Sequence, residues 1–255
     1  MTKTCTVNIK GQFYKVCVSD EPEALLAAYA AGGAVLGVGE VCAAACPKLP
    51  VFIESWDSAG KEQLNRIAER LVRRKLGLPW IIAQTERLII REASGEDWEK
   101  LQPLWSGNAL SPVQAAAFKS REDLETYISC QYRFYEYGLW LLEEKETGRI
   151  IGAAGLWNPE ERVCRRLKAA GEPAEEYLEM GYQVFLPYQR KGFAREACQA
   201  VMAYGDWELE CKLCLQIHPD NHPSRKLARN LGFWPLIPHT DTGETQWPYL
   251  YVWSC

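Results

Sequence analysis

Nine consecutive residues, Tyr188-Gln189-Arg190-Lys191-Gly192-Phe193-Ala194-Arg195-Glu196, combine two cations, a glycine and the start of an Ala- and Glu-rich helical pattern. A helix start leaves several backbone N–H groups without intrahelical partners and carries the positive end of the helix dipole. An anion docked there gains hydrogen bonds and a favourable field. Gly192 lets a phosphate approach the backbone with no Cβ in the way. The preceding segment, Glu179 to Leu186, reads as a strand stopped by Pro187, so strand, basic turn and helix follow one another. These residues fit a phosphate cradle; an ordinary strand-to-helix turn with solvated Arg and Lys is the alternative.

Other reactive side chains are less concentrated. The Cys211-Lys212-Leu213-Cys214 spacing is that of half a zinc site, but it falls in an expected strand, where residues three apart point to opposite faces, and no second ligand pair accompanies it. No metal is expected. Among the ten cysteines, Cys17, Cys130, Cys198 and Cys214 sit in apolar segments, where a free thiol behaves as a small hydrophobe. His218, His222 and His239 are weak acid–base candidates: two lie beside prolines in turns, where capping or surface roles are the default. Gly37-Val38-Gly39 begins a dinucleotide-binding pattern, but its third glycine position holds Cys42, so the pair reads as a tight backbone passage.

The 255 residues, 47% of them hydrophobic, suffice for one large domain or two modest ones. A net charge of −4 with interspersed signs argues against a nucleic-acid partner, so any basic patch is local. The N-terminus lacks the apolar core of a signal peptide, and no run approaches the roughly 20 apolar residues that span a bilayer. A cytoplasmic protein without membrane attachment is expected, with its thiols reduced.

The elements that must position the basic turn are legible as patterns. In the first eighty residues Val16-Cys17-Val18, Ala34 to Val38 and Val51-Phe52-Ile53 read as strands and Pro22 to Ala31 as a helix. Ser58 or Gly60 to Leu76 reads as an amphipathic helix with Leu64, Ile67, Ala68, Leu71 and Val72 on its apolar face. A boundary near residue 83 separates a small α/β domain of unknown role, residues 1–82, from a domain of residues 83–255. Thr85 to Glu92 reads as a strand whose wetter face carries Arg87, Ile89 and Arg91. A helix from Gly95 to Leu101 ends near Pro103, and an irregular stretch runs to Ala117. Ser120 caps a helix to about Tyr137, whose Tyr127, Tyr132, Phe134, Tyr135 and Tyr137 either pack on the sheet or line a pocket. Leu139 to Glu143 and Arg149 to Leu156 form a hairpin, and Asn158 to Glu176 is a polar surface insertion, helical in part. The helix from Gly192 buries Ala194, Ala197, Cys198, Val201 and Met202. Lys212 to Ile217 is a strand, Pro223 opens a helix ending at Leu231-Gly232-Phe233, and Tyr249 to Trp253 is the last strand.

Three pieces occur in a specific order: the strand Thr85-Glu86-Arg87-Leu88-Ile89-Ile90-Arg91; Gly181-Tyr182 through Gln189-Arg190-Lys191-Gly192-Phe193-Ala194-Arg195-Glu196-Ala197; and Asn221-His222-Pro223-Ser224 through Leu231-Gly232-Phe233. Over residues 85–255 this order resembles the GNAT superfamily of acetyl-CoA-dependent N-acetyltransferases, in particular the ribosomal-protein N-terminal acetyltransferase branch. Its pyrophosphate loop runs Gln or Arg, any two, Gly, any, Gly or Ala, which Gln189, Gly192 and Ala194 satisfy. Arg190 stands where a glycine is commoner and adds a cation. Residues 1–80 carry no such resemblance.

The resemblance implies an α/β (α+β) fold: a mixed, mostly antiparallel central sheet flanked by helices, joined to the small N-terminal α/β domain. It implies that the strand before the loop splays from its neighbour and that unpaired backbone groups at Val184, Phe185 and Leu186 hold the pantetheine arm of acetyl-CoA, with an N–H of that strand facing the thioester oxygen. It gives Gln189, Arg190, Lys191, Gly192, Phe193 and Ala194 to the pyrophosphate, Asn221 to the pantetheine amides, and protonation of the leaving thiolate to Ser224. The attacking amine must be neutral, and Glu179, early on the key strand, is the candidate base. Strand alternation leaves open whether it faces the acceptor, and a structural salt bridge is an equal alternative.

The expected function is transfer of an acetyl group from acetyl-CoA to a primary amine, either a protein N-terminus or a small molecule, by direct attack in a ternary complex. A CoA-binding regulatory module that kept the fold without turnover is the rival. Oligomeric state and acceptor identity are not legible.

Overall fold

A computed structural model describes residues 1–49, 51–105, 119–236 and 249–254, in two compact units, Met1–Trp80 and Ile81–Cys255. The first unit contains β1 (Thr2–Ile9), β2 (Gln12–Ser19), α1 (Pro22–Ala30), β3 (Ala34–Val38), α2 (Glu40–Ala45), β4 (Phe52–Ile53) and α3 (Lys61–Lys75). Its sheet has the order β1-β2-β3-β4, with an antiparallel first pair and parallel pairs after it. The β1–β2 hairpin corrects the short strand expected at Val16-Cys17-Val18. It turns at Lys10 and Gly11, both at positive φ (52° and 85°), the conformation that matches hairpin twist. Inward-facing Val7 and Ile9 join Ala68, Leu71 and Val72 of α3 in one core cluster, with Cys5, Leu64 and Ile67 packed against it. Gly37 is a close approach: a Cβ there would lie 2.2 Å from the Phe52 ring.

The second unit is built on an eight-stranded sheet. Its strands are β5 (Ile81–Gln84), β6 (Leu88–Arg91), β7 (Leu139–Glu144), β8 (Ile150–Trp157), β9 (Tyr177–Val184), β10 (Lys212–Ile217), β11 (Trp234–Pro235) and β12 (Tyr249–Trp253). They lie in the order β11-β12-β10-β9-β8-β7-β6-β5. Every neighbouring pair is antiparallel except β9 and β10. The described helices are α4 (Trp98–Trp105), α5 (Arg121–Tyr135), α6 (Glu161–Ala169), α7 (Phe193–Trp207) and α8 (His222–Asn230). The mixed, mostly antiparallel sheet with flanking helices is the fold class expected from the sequence.

Local differences have physical causes. Helix α4 runs past Pro103, where a proline removes one hydrogen bond without ending the helix; the irregular stretch expected beyond it lies outside the described residues. Arg91, expected on a wetter face, is buried. Its Nη1 and Nη2 donate to the two carboxylate oxygens of Asp97, each at 2.8 Å, and its Nε donates to Glu143 at 2.8 Å, which satisfies the charge. Ser120 caps α5 by accepting from the Asp123 N–H at 3.0 Å. Tyr132 of that helix is buried and donates to the Leu139 carbonyl at 2.5 Å, while the Tyr127 hydroxyl accepts from the Leu139 N–H at 2.7 Å, so both residues tie helix to sheet. The expected surface insertion is docked by its apolar stripe: Val163 and Leu167 of α6 are buried with Ala174, Tyr177, Cys214, Leu250 and Val252.

Candidate active site

Pairing between β9 and β10 covers only Lys212↔Tyr177, Leu213↔Leu178 and Cys214↔Glu179. Both strands continue, β9 to Val184 and β10 to Ile217, without pairing to each other, so they open as a fork. On its other edge β9 stays in register with β8, from Trp157↔Glu179 to Gly152↔Val184. The Phe185 N–H continues that edge by donating to the Ile151 carbonyl at 2.8 Å. Antiparallel alternation then turns the backbone groups of Tyr182 and Val184 toward the fork. This corrects the expectation for Phe185, whose N–H is committed to β8. Leu186 begins a short 3₁₀ turn, and its carbonyl accepts from the Gln189 N–H at 3.3 Å.

The fork leads into the basic turn. Arg190 and Gly192 both take the left-handed conformation (φ 62° and 87°), and Gly192 is the N-cap of α7. The Gln189 side chain folds back and donates to the Val184 carbonyl at 2.8 Å, tying the turn to the strand end. Phe193 is buried beneath the Arg87 guanidinium, 4.4 Å from its ring centroid, so it offers an anion its backbone N–H and no side chain. The first-turn N–H groups at Phe193 and Ala194 lack intrahelical partners by the geometry of any helix start, and the missing Cβ of Gly192 leaves room for a phosphate. Lys191 places its ammonium 5.5 Å from the Tyr188 ring.

Sequence inspection missed the clamp behind this turn. Glu196, in the first turn of α7, accepts from the Thr85 hydroxyl at 2.5 Å, from the Arg87 N–H at 2.8 Å and from the Arg87 Nε at 2.8 Å. Arg87 Nη1 also donates to the Lys191 carbonyl at 2.8 Å. Burial pushes the Glu196 carboxyl up, yet the Thr85 and Arg87 donors together hold it below its ordinary value. Residues Glu86, Arg87, Glu144, Lys145, Glu146 and Lys191, with Phe193, line a hollow of about 480 Å³ beside the turn; its three carboxylates make it a mixed-charge surface and not an anion site.

Glu179 lies at the crotch of the fork. It is buried, and both its carboxylate oxygens accept from Gln216 Nε2, at 3.0 and 3.1 Å. The register and alternation of β9 and β10 place Glu179, Cys214 and Gln216 on one sheet face, the face that α6 covers. Burial raises the Glu179 carboxyl, and the Gln216 donor partly opposes that rise. Its shell is therefore polar and neutral at first contact. The Trp157 ring lies over Gly181, where an added Cβ would meet it at 2.2 Å.

Tyr182 points to the opposite face, and sequence inspection assigned it no chemistry. Its hydroxyl oxygen is buried without a full hydrogen bond, and burial pushes the phenol up to about 12; the Ser224 side chain faces it closely enough to oppose part of that rise. Ser224 sits in the first turn of α8, where its N–H donates to the Asn221 side-chain oxygen at 3.2 Å. Asn221 is thus the N-cap of α8, and Pro223 occupies its first turn. His218 is exposed, 3.6 Å from Asp220, and His222 begins α8, neither with a contact to Glu179 or Tyr182 among those described. His239 lies outside the described residues. Among the described residues no group of three or more His, Cys, Asp or Glu side chains could hold a metal ion, and no helix is long and apolar enough to cross a membrane.

The fork and the glycine-capped helix both lie within the stretch of the chain that comparison with known proteins matches. Residues 87–234, more than half of the chain, match the acetyltransferase (GNAT) domain family. The chain belongs to the GNAT acetyltransferases. The uncharacterized N-acetyltransferase YoaA of Bacillus subtilis is 25% identical over 159 residues, 60% of this chain and 82% of the relative. YnaD of the same organism, another uncharacterized N-acetyltransferase, is 24% identical over 151 residues, 58% of this chain and 79% of its own. A solved GnaT-family structure from Bordetella pertussis covers 68% of this chain and 98% of its own at a TM-score of 0.52 and 19% identity. The ribosomal L7/L12 alpha-N-protein acetyltransferase RimL covers 70% of this chain and 96% of its own at 0.50 and 15%, a likeness of fold alone. Both structural likenesses leave roughly the length of the first unit unmatched.

Proposed function

We propose that this GNAT domain uses acetyl-CoA to acetylate a primary amine by direct attack, with no acyl-enzyme. The carrying observation is the fork itself: β9–β10 pairing that stops at Glu179↔Cys214, next to a turn held open by Gly192. Gly192 and the first-turn N–H groups of Phe193 and Ala194 would hold the pyrophosphate, with Gln189 tying the turn to the strand and Arg190 and Lys191 adding positive charge. The fork-facing backbone groups of Tyr182 and Val184 would pair with the pantetheine amides as a neighbouring strand does, and Asn221 would add its side-chain amide. Acetyl-CoA supplies an activated acyl group.

On the opposite face, Glu179 would take the proton from the amine, directly or through water. A carboxyl raised by burial holds that proton better than an exposed one, which suits it to a base working near neutrality. An α-amine, with a pKa near ~8, is more readily neutral than a lysine side chain near ~10.4, so a peptide N-terminus is the easier acceptor. RimL, similar in fold, is named as an alpha-N-protein acetyltransferase, and small-molecule amines are the second class to try. A cytoplasmic setting fits the described cysteines, all of them free; cell fractionation tests it. Incubation with acetyl-CoA and a panel of peptides and small amines, reading thiol release, tests the activity. Tight CoA binding with no release on any amine would leave a binding module instead.

A further inference from the structure

The sheet of the first unit has two edges that are finished differently. Edge strands present free backbone N–H and C=O groups that template pairing with another chain, and proteins blunt them with shortness, bulges, prolines or lysines. Strand β4 is an edge of two residues. In the sheet of the second unit β11 also has two, and β5 has four with a break in register between Ile81 and Ala83. Strand β1 is the exception among the described edges. Its eight residues run in unbroken register with β2 from Thr2↔Ser19 to Ile9↔Gln12, with no proline and, among the described residues, no strand on the other side. Its one charged side chain, Lys3, holds its ammonium 4.5 Å from the Trp56 ring centroid. The hairpin decides which backbone groups stay free. The turn at Lys10 and Gly11 makes Ile9 and Gln12 a hydrogen-bonded pair, so alternation commits Lys3, Cys5, Val7 and Ile9 to β2. The groups of Thr2, Thr4, Thr6 and Asn8 point outward, and all four residues are exposed.

We propose that β1 is an interaction surface for a second copy of this chain, pairing antiparallel with the copy's β1 about a two-fold axis and joining the two four-stranded sheets into one. One register uses every outward residue: Thr4 opposite the partner's Thr6, and Thr2 opposite the partner's Asn8. That register is self-complementary. Lys3 falls opposite the partner's Val7, so no like charges meet, and threonines paired across strands are favourable. Helix α3 lies over the same edge, where Cys5 Sγ donates to Asn65 Oδ1 at 3.2 Å. Helical spacing puts Lys61, Glu62, Glu69 and Arg73 on the Asn65 side of α3, two cations against two anions. Two copies of α3 brought side by side over the joined sheet therefore carry no net repulsion. The axis passes at Cys5, which faces the partner's Cys5 as a non-hydrogen-bonded pair. The Cα atoms of such a pair lie about 4.5 Å apart, within the range a disulfide spans. Cys5 is half-buried and free.

Sedimentation velocity on the full chain, across a concentration series under reducing conditions, should show a dimer. Thr6→Pro removes one outward N–H at an edge position, where a proline is tolerated. Its dimer should dissociate at least about ten-fold more readily, with the circular dichroism spectrum unchanged. Register is read by oxidation. Diamide takes two electrons and two protons from a pair of thiols, becoming the hydrazine as the disulfide forms. Wild type should give a dimer on non-reducing gels whose cross-linked peptide, by mass spectrometry, joins Cys5 to the partner's Cys5; Cys5→Ser should give none. A wild-type monomer at every concentration overturns the proposal, and so does a dimer that survives in folded Thr6→Pro. If Thr6→Pro fails to fold, the cross-link decides: a Cys5 disulfide between copies supports the pairing, and its absence from the oxidised dimer overturns it.

Discussion

Gln216 reaches across the opening between β9 and β10 and donates through one nitrogen to both carboxylate oxygens of Glu179, at 3.0 and 3.1 Å. Gln216 lies two residues past Cys214, the last β10 residue in register with β9, so the side-chain bond begins where backbone pairing ends. A neutral donor orients a buried carboxylate without neutralising it, which leaves it free to accept a proton.

Acetyl transfer should fall as pH drops, with an apparent pKa above the ordinary ~4.3 of a glutamate, because burial raises Glu179. Gln216→Leu removes the donor that opposes the rise and should move this acid limb to higher pH. Glu179→Gln should remove the limb and lower kcat by about 10²- to 10⁴-fold. Rate profiles of the three proteins against pH check this; a limb that stays in place in Gln216→Leu excludes Glu179 as the base.

Glu196 has the opposite sign. Its carboxyl is held below the ordinary value in the folded chain, so its contribution is present above the unfolded pKa and is lost as pH falls through the folded one. Glu196→Gln should cost about 1–3 kcal/mol near neutrality, with the gap to wild type closing in acid. The same variant should loosen CoA binding, because Arg87 then holds the Lys191 carbonyl less firmly. Denaturant unfolding at two pH values, with calorimetry at neutrality, reads both effects.

The two left-handed residues of the turn predict contrasting outcomes. Gly192→Val puts a β-branched residue at φ 87°, with Arg87 Nη2 3.2 Å from the new Cβ; CoA affinity should fall at least about ten-fold, with strain of about 1–3 kcal/mol. Arg190→Gly relieves an L-residue at φ 62° and should raise stability by up to about 1 kcal/mol, while CoA binding weakens through the lost cation. Melting curves and binding isotherms should therefore move in opposite directions for Arg190→Gly, and a loss of stability there would contradict the strain argument.

Arg91 offers a test of the frame and not of the site. Arg91→Leu leaves Asp97 buried without its bidentate partner, and should cost about 3–5 kcal/mol. Adding Asp97→Asn should recover part of that loss, since the uncompensated charge goes with it; equilibrium unfolding of the pair decides.

What was legible beforehand was local chemistry. The glycine-capped turn with its cations, the Ser120 cap, the helix start at Pro223 and the stripe on α3 depend on residues within one turn of each other, and short-range geometry constrains those strongly. The β1 strand was overlooked because Thr-rich alternation resembles a polar tail until Tyr14 and Val16 pair with Val7 and Cys5.

The amino-acid order alone determined that a strand, a basic turn and a helix follow one another, with Glu179 early in the strand and Ser224 after the helix. Only the tertiary structure decided which face each side chain occupies and what it meets there. Whether Glu179 meets Gln216, whether Tyr182 meets Ser224, and whether the Phe185 N–H is committed depend on where β9 stops pairing with β10 and on its register with β8. A strand's side chains alternate every residue, so a one-residue change of register exchanges the faces, and register is set by partners far away in the chain.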